Sequence, residues 1–234
     1  MEKIKLSPRL RLIASLVPQG ARAADIGTDH GYIPVWLVQS GVCERVTASD
    51  IVIGPLECAR RSSAQYGVTE SIDFVLSDGL DGCRAGETDT VIIAGMGGDT
   101  ISGILERAEW TKDGVLLLLQ PMSKAERLRL WLWENGYKIT AERLVRDSGK
   151  IYPVICAEGG IERELTDCAE LLTGKYEQVC SEPLFAEYLD RLISRTETAV
   201  RALRLSEKDG DGERLIQFEN KLEGLLKMRR RSNG

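Results

Sequence analysis

Seven short stretches have the residue types of β-strands: Ala21–Ile26, Arg45–Asp50, Ile72–Leu76, Thr90–Ala94, Gly114–Gln120, Tyr137–Val145 and Tyr152–Ala157. The first five are rich in Val, Ile and Leu, the pattern of strands covered on both faces. Helical periodicity fills the gaps. Leu10, Ile13, Leu16 and Val17 make one apolar face, and Ile33, Trp36, Leu37 and Ser40 make another. Pro55–Tyr66, Thr100–Arg107 and Lys124–Asn135 are further predicted helices. Strand–helix alternation implies parallel strands with right-handed crossovers, hence a Rossmann-like, doubly wound α/β sheet. The last two runs have no helix between them. They read as an antiparallel pair at one end of the sheet, turning at Arg146-Asp-Ser-Gly149. Pro153 lacks the N–H a central strand needs, so its run is expected towards an edge.

Beyond about residue 165 the strand pattern stops. Phe185, Leu189, Leu192, Thr196, Ala199 and Leu203 step by four and three, as do Leu215, Phe218, Leu222 and Leu225. The turn-rich Ser206-Glu-Lys-Asp-Gly-Asp-Gly212 separates them, so the expectation is a coiled-coil-like antiparallel helical hairpin. Two domains follow: 1–160, a cofactor-binding Rossmann-like sheet, and 161–234, the hairpin. Asp209, Asp211 and Gly212 have the spacing of a calcium loop, but the closing Glu is replaced by Asn220, and no metal site is expected.

Composition narrows the chemistry. The 234 residues carry 31 Lys and Arg against 36 Asp and Glu, a formal charge of −5, which argues against a protein that coats nucleic acid by bulk charge. That charge is uneven: both ends of the chain are net basic, and residues 65–113 are net acidic. One His excludes zinc sites built from several histidines. Six Cys without a CxxC pair read as free, buried thiols in a reducing cytoplasm. Neither a signal peptide nor a membrane-spanning run is read.

In a doubly wound sheet ligands bind beyond the carboxyl ends of the strands. The first such loop, Asp25-Ile-Gly-Thr-Asp-His-Gly-Tyr32, has glycines for a tight turn. A dinucleotide fingerprint would need glycine where Asp29 stands. A carboxylate there repels a pyrophosphate but suits the sulfonium and ammonium of S-adenosylmethionine. Asp50 ends the second strand about two dozen residues past Gly27, the placement from which an acid accepts ribose hydroxyls. Asp78 ends the third and is placed to accept an adenine N6 hydrogen. Three acids at three successive strand ends are more specific than any one. The fourth loop, Ile93-Ala-Gly-Met-Gly-Gly-Asp99, exposes backbone to a flat base or a phosphate. The fifth, Leu119-Gln-Pro-Met122, offers the Gln120 amide to a base edge or to the next helix.

Asp25-Ile-Gly-Thr-Asp-His-Gly-Tyr32, Ser77-Asp-Gly-Leu80, Ile93-Ala-Gly-Met-Gly-Gly98 and Leu119-Gln-Pro121 together resemble the bacterial tRNA (adenine-22-N1)-methyltransferase family. The resemblance extends over the whole chain, including Leu6-Ser-Pro-Arg-Leu10 and the C-terminal hairpin; Pro153 departs from it, where such proteins often carry an acid. It implies a class I, S-adenosylmethionine-dependent enzyme methylating N1 of an adenine in the tRNA D-arm, with the hairpin helping to hold tRNA. Cofactor binding is expected from Asp25, Gly27, Thr28, Asp29, His30, Gly31, Tyr32, Asp50, Ile51, Asp78, Gly79, Ala94 and Gly95. Asp29, holding the adenine N6, and the Gly95-Met96-Gly97-Gly98 backbone are expected at the reacting base. Gln120, Pro121, Arg229, Arg230 and Arg231 are expected to contact tRNA. The chain is read as a cytoplasmic monomer. Two alternatives stay open: a methyltransferase of the same fold acting on a small molecule or protein, and a non-catalytic RNA-binding module.

Overall fold

The computed structural model describes residues 3–161, 168–206 and 210–232. The chain divides into two compact units, Met1–Ala141 with Val145–Glu162, and Glu142–Leu144 with Arg163–Gly234.

In the first unit, helix α1 (Pro8–Ser15) starts where Ser7 caps the Leu10 N–H and Pro8 supplies a preset φ. There follow β1 (Ala23–Ile26), α2 (Tyr32–Gln39), β2 (Val46–Asp50), α3 (Ile53–Gln65), β3 (Ile72–Leu76), β4 (Thr90–Gly97), α4 (Gly98–Glu106), β5 (Leu116–Ser123), α5 (Ala125–Glu134), β6 (Tyr137–Asp147) and β7 (Lys150–Gly159). All seven strands join one sheet in the order β3-β2-β1-β4-β5-β7-β6. Strands β3, β2, β1, β4 and β5 are parallel, and β7 pairs antiparallel with β5.

Neighbouring side chains along the central strands go to opposite faces. Ala24, Val91, Ile93, Leu117 and Leu119 pack against Ile101, Leu105, Leu128 and Leu132 of α4 and α5. Ala23, Ile92 and Leu118 pack against Ile13, Ala14, Ile33 and Leu37 of α1 and α2. Burial on both faces explains why these strands read as continuous apolar runs.

One expectation is corrected. The fourth and fifth loops are partly strand: β4 continues through Ala94-Gly-Met-Gly97, and β5 continues through Pro121 to Ser123. The register slips between Ala94 and Met96 and again before Gly97, so a bulge carries the glycines while pairing persists. The Pro153 strand lies towards an edge, as expected, without being outermost: β7 is penultimate and β6 is outermost. The β5 ladder uses only Ile155, Cys156 and Ala157, so the missing N–H of Pro153 falls outside it. The hairpin turn is Ser148-Gly149, both at positive φ, as a tight two-residue connection requires.

The second unit contains α6 (Cys168–Thr173), α7 (Tyr176–Val179), α8 (Phe185–Arg204) and α9 (Asp211–Ser232). Helices α8 and α9 run antiparallel, tied by Arg204–Glu219 at 2.7 Å near one end and Asp190–Arg229 at 2.7 Å near the other. The α8 seam buries Phe185, Leu189, Leu192, Thr196, Val200 and Leu203; Val200 takes the place expected for Ala199. On α9 only Leu225 of the four expected residues is fully covered. The pair is not free-standing, since α6 packs on both helices. Asp209 and part of the expected break lie outside the described residues. Among the described residues no group of acids, His and Cys could hold a metal, and no helix is long and apolar enough to cross a membrane. Among the described residues no disulfide joins the six cysteines; Cys43 and Cys156 are buried as expected, whereas Cys168 and Cys180 are exposed.

Candidate active site

The sheet order reverses between β1 and β4, and a cleft of about 1030 Å³ opens there, at the carboxyl ends of the strands. The β1 end sets its floor. Gly27 turns the chain at φ +72°, and the Gly27 and Thr28 N–H groups both donate to the Ser49 carbonyl, at 2.8 and 3.0 Å. A Cβ at Gly27 would lie 2.2 Å from Met96 Cε, so the first loop and the β4 bulge are packed on one another. Asp29 adopts φ +52°, a left-handed conformation that Asp tolerates better than most residues.

Four carboxylates line this end of the cleft. Asp25 is buried and accepts from Thr28 Oγ1 at 2.8 Å. Burial raises its pKa to about 7; the Thr28 bond opposes the rise and the nearby Asp50 charge adds to it. Asp50 accepts the Val52 N–H at 3.0 Å on one oxygen and the Asp29 N–H at 3.4 Å on the other, which fixes its carboxylate at the β2 end. Asp78 pairs with Arg107 at 3.0 Å, and Arg107 also reaches Asp81 at 3.5 Å. The Asp29 carboxylate is 72% exposed and stands 3.8 Å from His30 Nε2. His30 stacks on Tyr32 with ring centroids 5.3 Å apart.

The expected residues Asp25, Gly27, Thr28, Asp29, His30, Tyr32, Asp50, Ile51, Asp78, Gly79, Ala94, Gly95 and Met96 all line the cleft. Others do not. Gly31 faces α3, where a Cβ would come 2.8 Å from Ala59 Cβ. Gly97 pairs with Ser123, and Gly98 lies against the Lys124 backbone, with room for no side chain. Gln120 is corrected from base contact to internal brace. It is fully buried; its oxygen accepts Arg9 Nη1 at 2.7 Å and the Gly95 N–H at 3.2 Å, while its nitrogen donates to the Pro121 carbonyl at 2.9 Å. Pro121 is buried in β5. In the second unit Arg229 pairs with Asp190, and Arg231 bonds Glu177 at 3.0 Å and lies over the Tyr176 ring, leaving Arg230 outward.

Several lining residues are not anticipated from the motifs: Lys5, Ser7, Arg9 and Leu10 from the N-terminal segment, Arg107 from α4, Met122, and Asp147 with Ser148 at the β6–β7 turn. The apolar face from Leu10 to Val17 was legible; the delivery of Ser7 and Arg9 to the cleft was not, because it depends on their meeting Asp147 about 140 residues away.

The donor set fits a cation with a ribose better than a pyrophosphate. Asp25 and Asp29 stand where a phosphate cradle would need free N–H groups, and Asp50 ends β2, a position from which an acid can accept hydroxyls. S-adenosylmethionine has that charge and that sugar.

Comparison with known proteins agrees with this geometry. A methyltransferase-domain family model matches residues 6–155. The tRNA (adenine(22)-N(1))-methyltransferase of Bacillus subtilis is 37% identical over 175 residues, 74% of each chain. The structure of the B. subtilis m1A22 tRNA methyltransferase TrmK superposes with a TM-score of 0.86 at 29% identity, covering 97% of this chain and 100% of that one. TrmK of M. capricolum, in complex with S-adenosylhomocysteine, has a TM-score of 0.80 at 26% identity, covering 95% and 96%. By a methyltransferase-domain match over residues 6–155 and a relative 37% identical over 74% of each chain, this chain belongs to the tRNA (adenine(22)-N(1))-methyltransferase family.

Proposed function

We propose that the protein transfers a methyl group from S-adenosylmethionine to N1 of adenine 22 in tRNA. The observation that carries this reading is the single cleft that gathers the carboxylates of Asp25, Asp29, Asp50 and Asp78 with the Gly95 bulge, in a chain 37% identical to a relative of that name. When bound, S-adenosylmethionine supplies an electrophilic methyl on a positively charged sulfur. Asp25 and Asp29 offset positive charge there, Asp50 accepts ribose hydroxyls, and Asp78 keeps a carboxylate oxygen for an adenine N6 hydrogen while Arg107 holds it.

Adenine N1 has its own lone pair, so no base must remove a proton before attack, and the reaction asks for no metal. The protein's part is positioning and exclusion of water. The exposed Asp29 carboxylate accepts from the target N6 amino group, which orients the base and offsets the charge that grows on its ring. Gly95 and Met96 shape the floor beneath the base. The target must leave its stack to reach this cleft. We assign tRNA contacts to the second unit, where Arg230 and Arg231 are exposed and Arg231 is already bonded to Glu177. This activity belongs in the cytoplasm, and the monomer contains every residue assigned.

Mass-spectrometric nucleoside analysis of tRNA treated with protein and S-adenosylmethionine tests the reading. The expected product is 1-methyladenosine at position 22, lost when adenine 22 is replaced. Methyl transfer that ignores the replacement, or none at all, overturns it.

A further inference from the structure

The cleft is divided by charge. The ends of β1, β2 and β3 present four carboxylates against one arginine, Arg107. Elsewhere in the lining, the N-terminal segment and the β6–β7 turn present Lys5 and Arg9 against Asp147 alone. An acidic half suits a cationic cofactor and repels phosphate. A nucleotide whose base enters the cleft brings its phosphate with it, and only the Lys5 and Arg9 part of the lining can receive that charge.

Arg9 is set for this. Its Nη1 donates to Gln120 Oε1 at 2.7 Å, the oxygen that also accepts the Gly95 N–H. Its Nε stands 3.7 Å from Asp147 Oδ2, too far for a hydrogen bond, and Ser7 Oγ donates to that same oxygen at 2.8 Å. A guanidinium carries five N–H donors, so several remain for a ligand. Lys5 is exposed and makes no ion pair among the described residues. Arg9 Nη1 lies 3.7 Å from where a Gly95 Cβ would be, beside the bulge, and Leu10 and Met122 add apolar lining to the same cleft.

We propose that Arg9 and Lys5 form a phosphate seat for the nucleotide presented to the bulge, with Gln120 and Asp147 fixing the Arg9 fork. The inference rests on the RNA-methyltransferase reading and adds to it how the target nucleotide is gripped. Because Gln120 bonds both Arg9 and Gly95, the grip on the backbone and the floor under the base share one brace.

The test uses the full chain, tRNA and S-adenosylmethionine, with variants Arg9→Gln and Lys5→Gln. Each is expected to raise KM for tRNA several-fold to tenfold, with the larger part of the effect on KM rather than kcat. The slope of log affinity for tRNA against log salt should fall by about 0.7–0.9 per lost phosphate contact. Cofactor affinity by calorimetry should stay within twofold. Arg84→Gln, an exposed change outside the cleft, controls for bulk charge and should leave the slope unchanged. Lys5→Gln breaks no internal contact, so its result stands even if Arg9→Gln loosens the fold. Salt slopes equal to the parent's in both variants overturn the phosphate seat alone. A parent protein that does not methylate tRNA overturns the reading beneath it.

Discussion

At the scale of single residues, Asp25 sets a pH dependence. Its folded pKa is raised to about 7 by burial, well above the ordinary carboxylate value. The neutral form therefore favours folding. That stability is fully present below about pH 4 and is lost as pH rises through 7, on the order of 1–4 kcal/mol. Asp25→Asn should flatten the profile over this window and be the more stable protein at pH 8, as read by chemical denaturation of the ligand-free protein. A cationic cofactor selects the ionised form, so its affinity should climb as pH rises towards 7 and level off above it; isothermal calorimetry across pH 6–8 measures this. Asp29 calls for a different substitution. At φ +52° an alanine adds strain, whereas Asn tolerates the left-handed region. Asp29→Asn should lower kcat for tRNA methylation about 100-fold with the melting temperature nearly unchanged, by the size of effect seen when one charge-stabilising group is removed from an active site. Full turnover in that variant would remove Asp29 from the reacting centre.

At the scale of elements, the bulged end of β4 decides the site. Gly95 takes φ +82°, and a Cβ there would sit in ordinary contact with Arg9 Nη1 at 3.7 Å, so Gly95→Ala costs mainly backbone strain, about 1 kcal/mol. Gly98 has an ordinary φ, but a Cβ there would come 2.4 Å from the Lys124 carbonyl, so the β5–α5 junction must move. Gly98→Ala should therefore cost more, about 2–4 kcal/mol, with thermal melting of the two variants showing the order. The glycine-rich string was visible in the sequence as a site of close approach. Which glycine meets backbone and which meets the cleft was not, because the answer depends on a register slip between strands that no local pattern encodes.

At the scale of the whole molecule, net charge gave a misleading first impression. A value of −5 spoke against RNA, yet the acids concentrate in the cofactor half of the cleft while Lys5 and Arg9 line another part of it. The first unit has its own core on both faces of the sheet. A protein shortened to residues 1–160 should keep S-adenosylmethionine affinity within a few-fold and lose tRNA methylation by 100-fold or more; undiminished methylation would remove the second unit from RNA binding. The sequence by itself determined the strand–helix alternation, the seven strands and the acids at three strand ends, because these follow from local hydrophobic period and residue type. Only the tertiary structure decided that Gln120 is a brace, that Pro153 sits in a penultimate strand, that two of three terminal arginines are engaged within their own unit, and that Arg9 reaches the cleft. Each of those depends on which distant segment packs alongside, and side-chain partners separated by a hundred residues leave no periodicity to read.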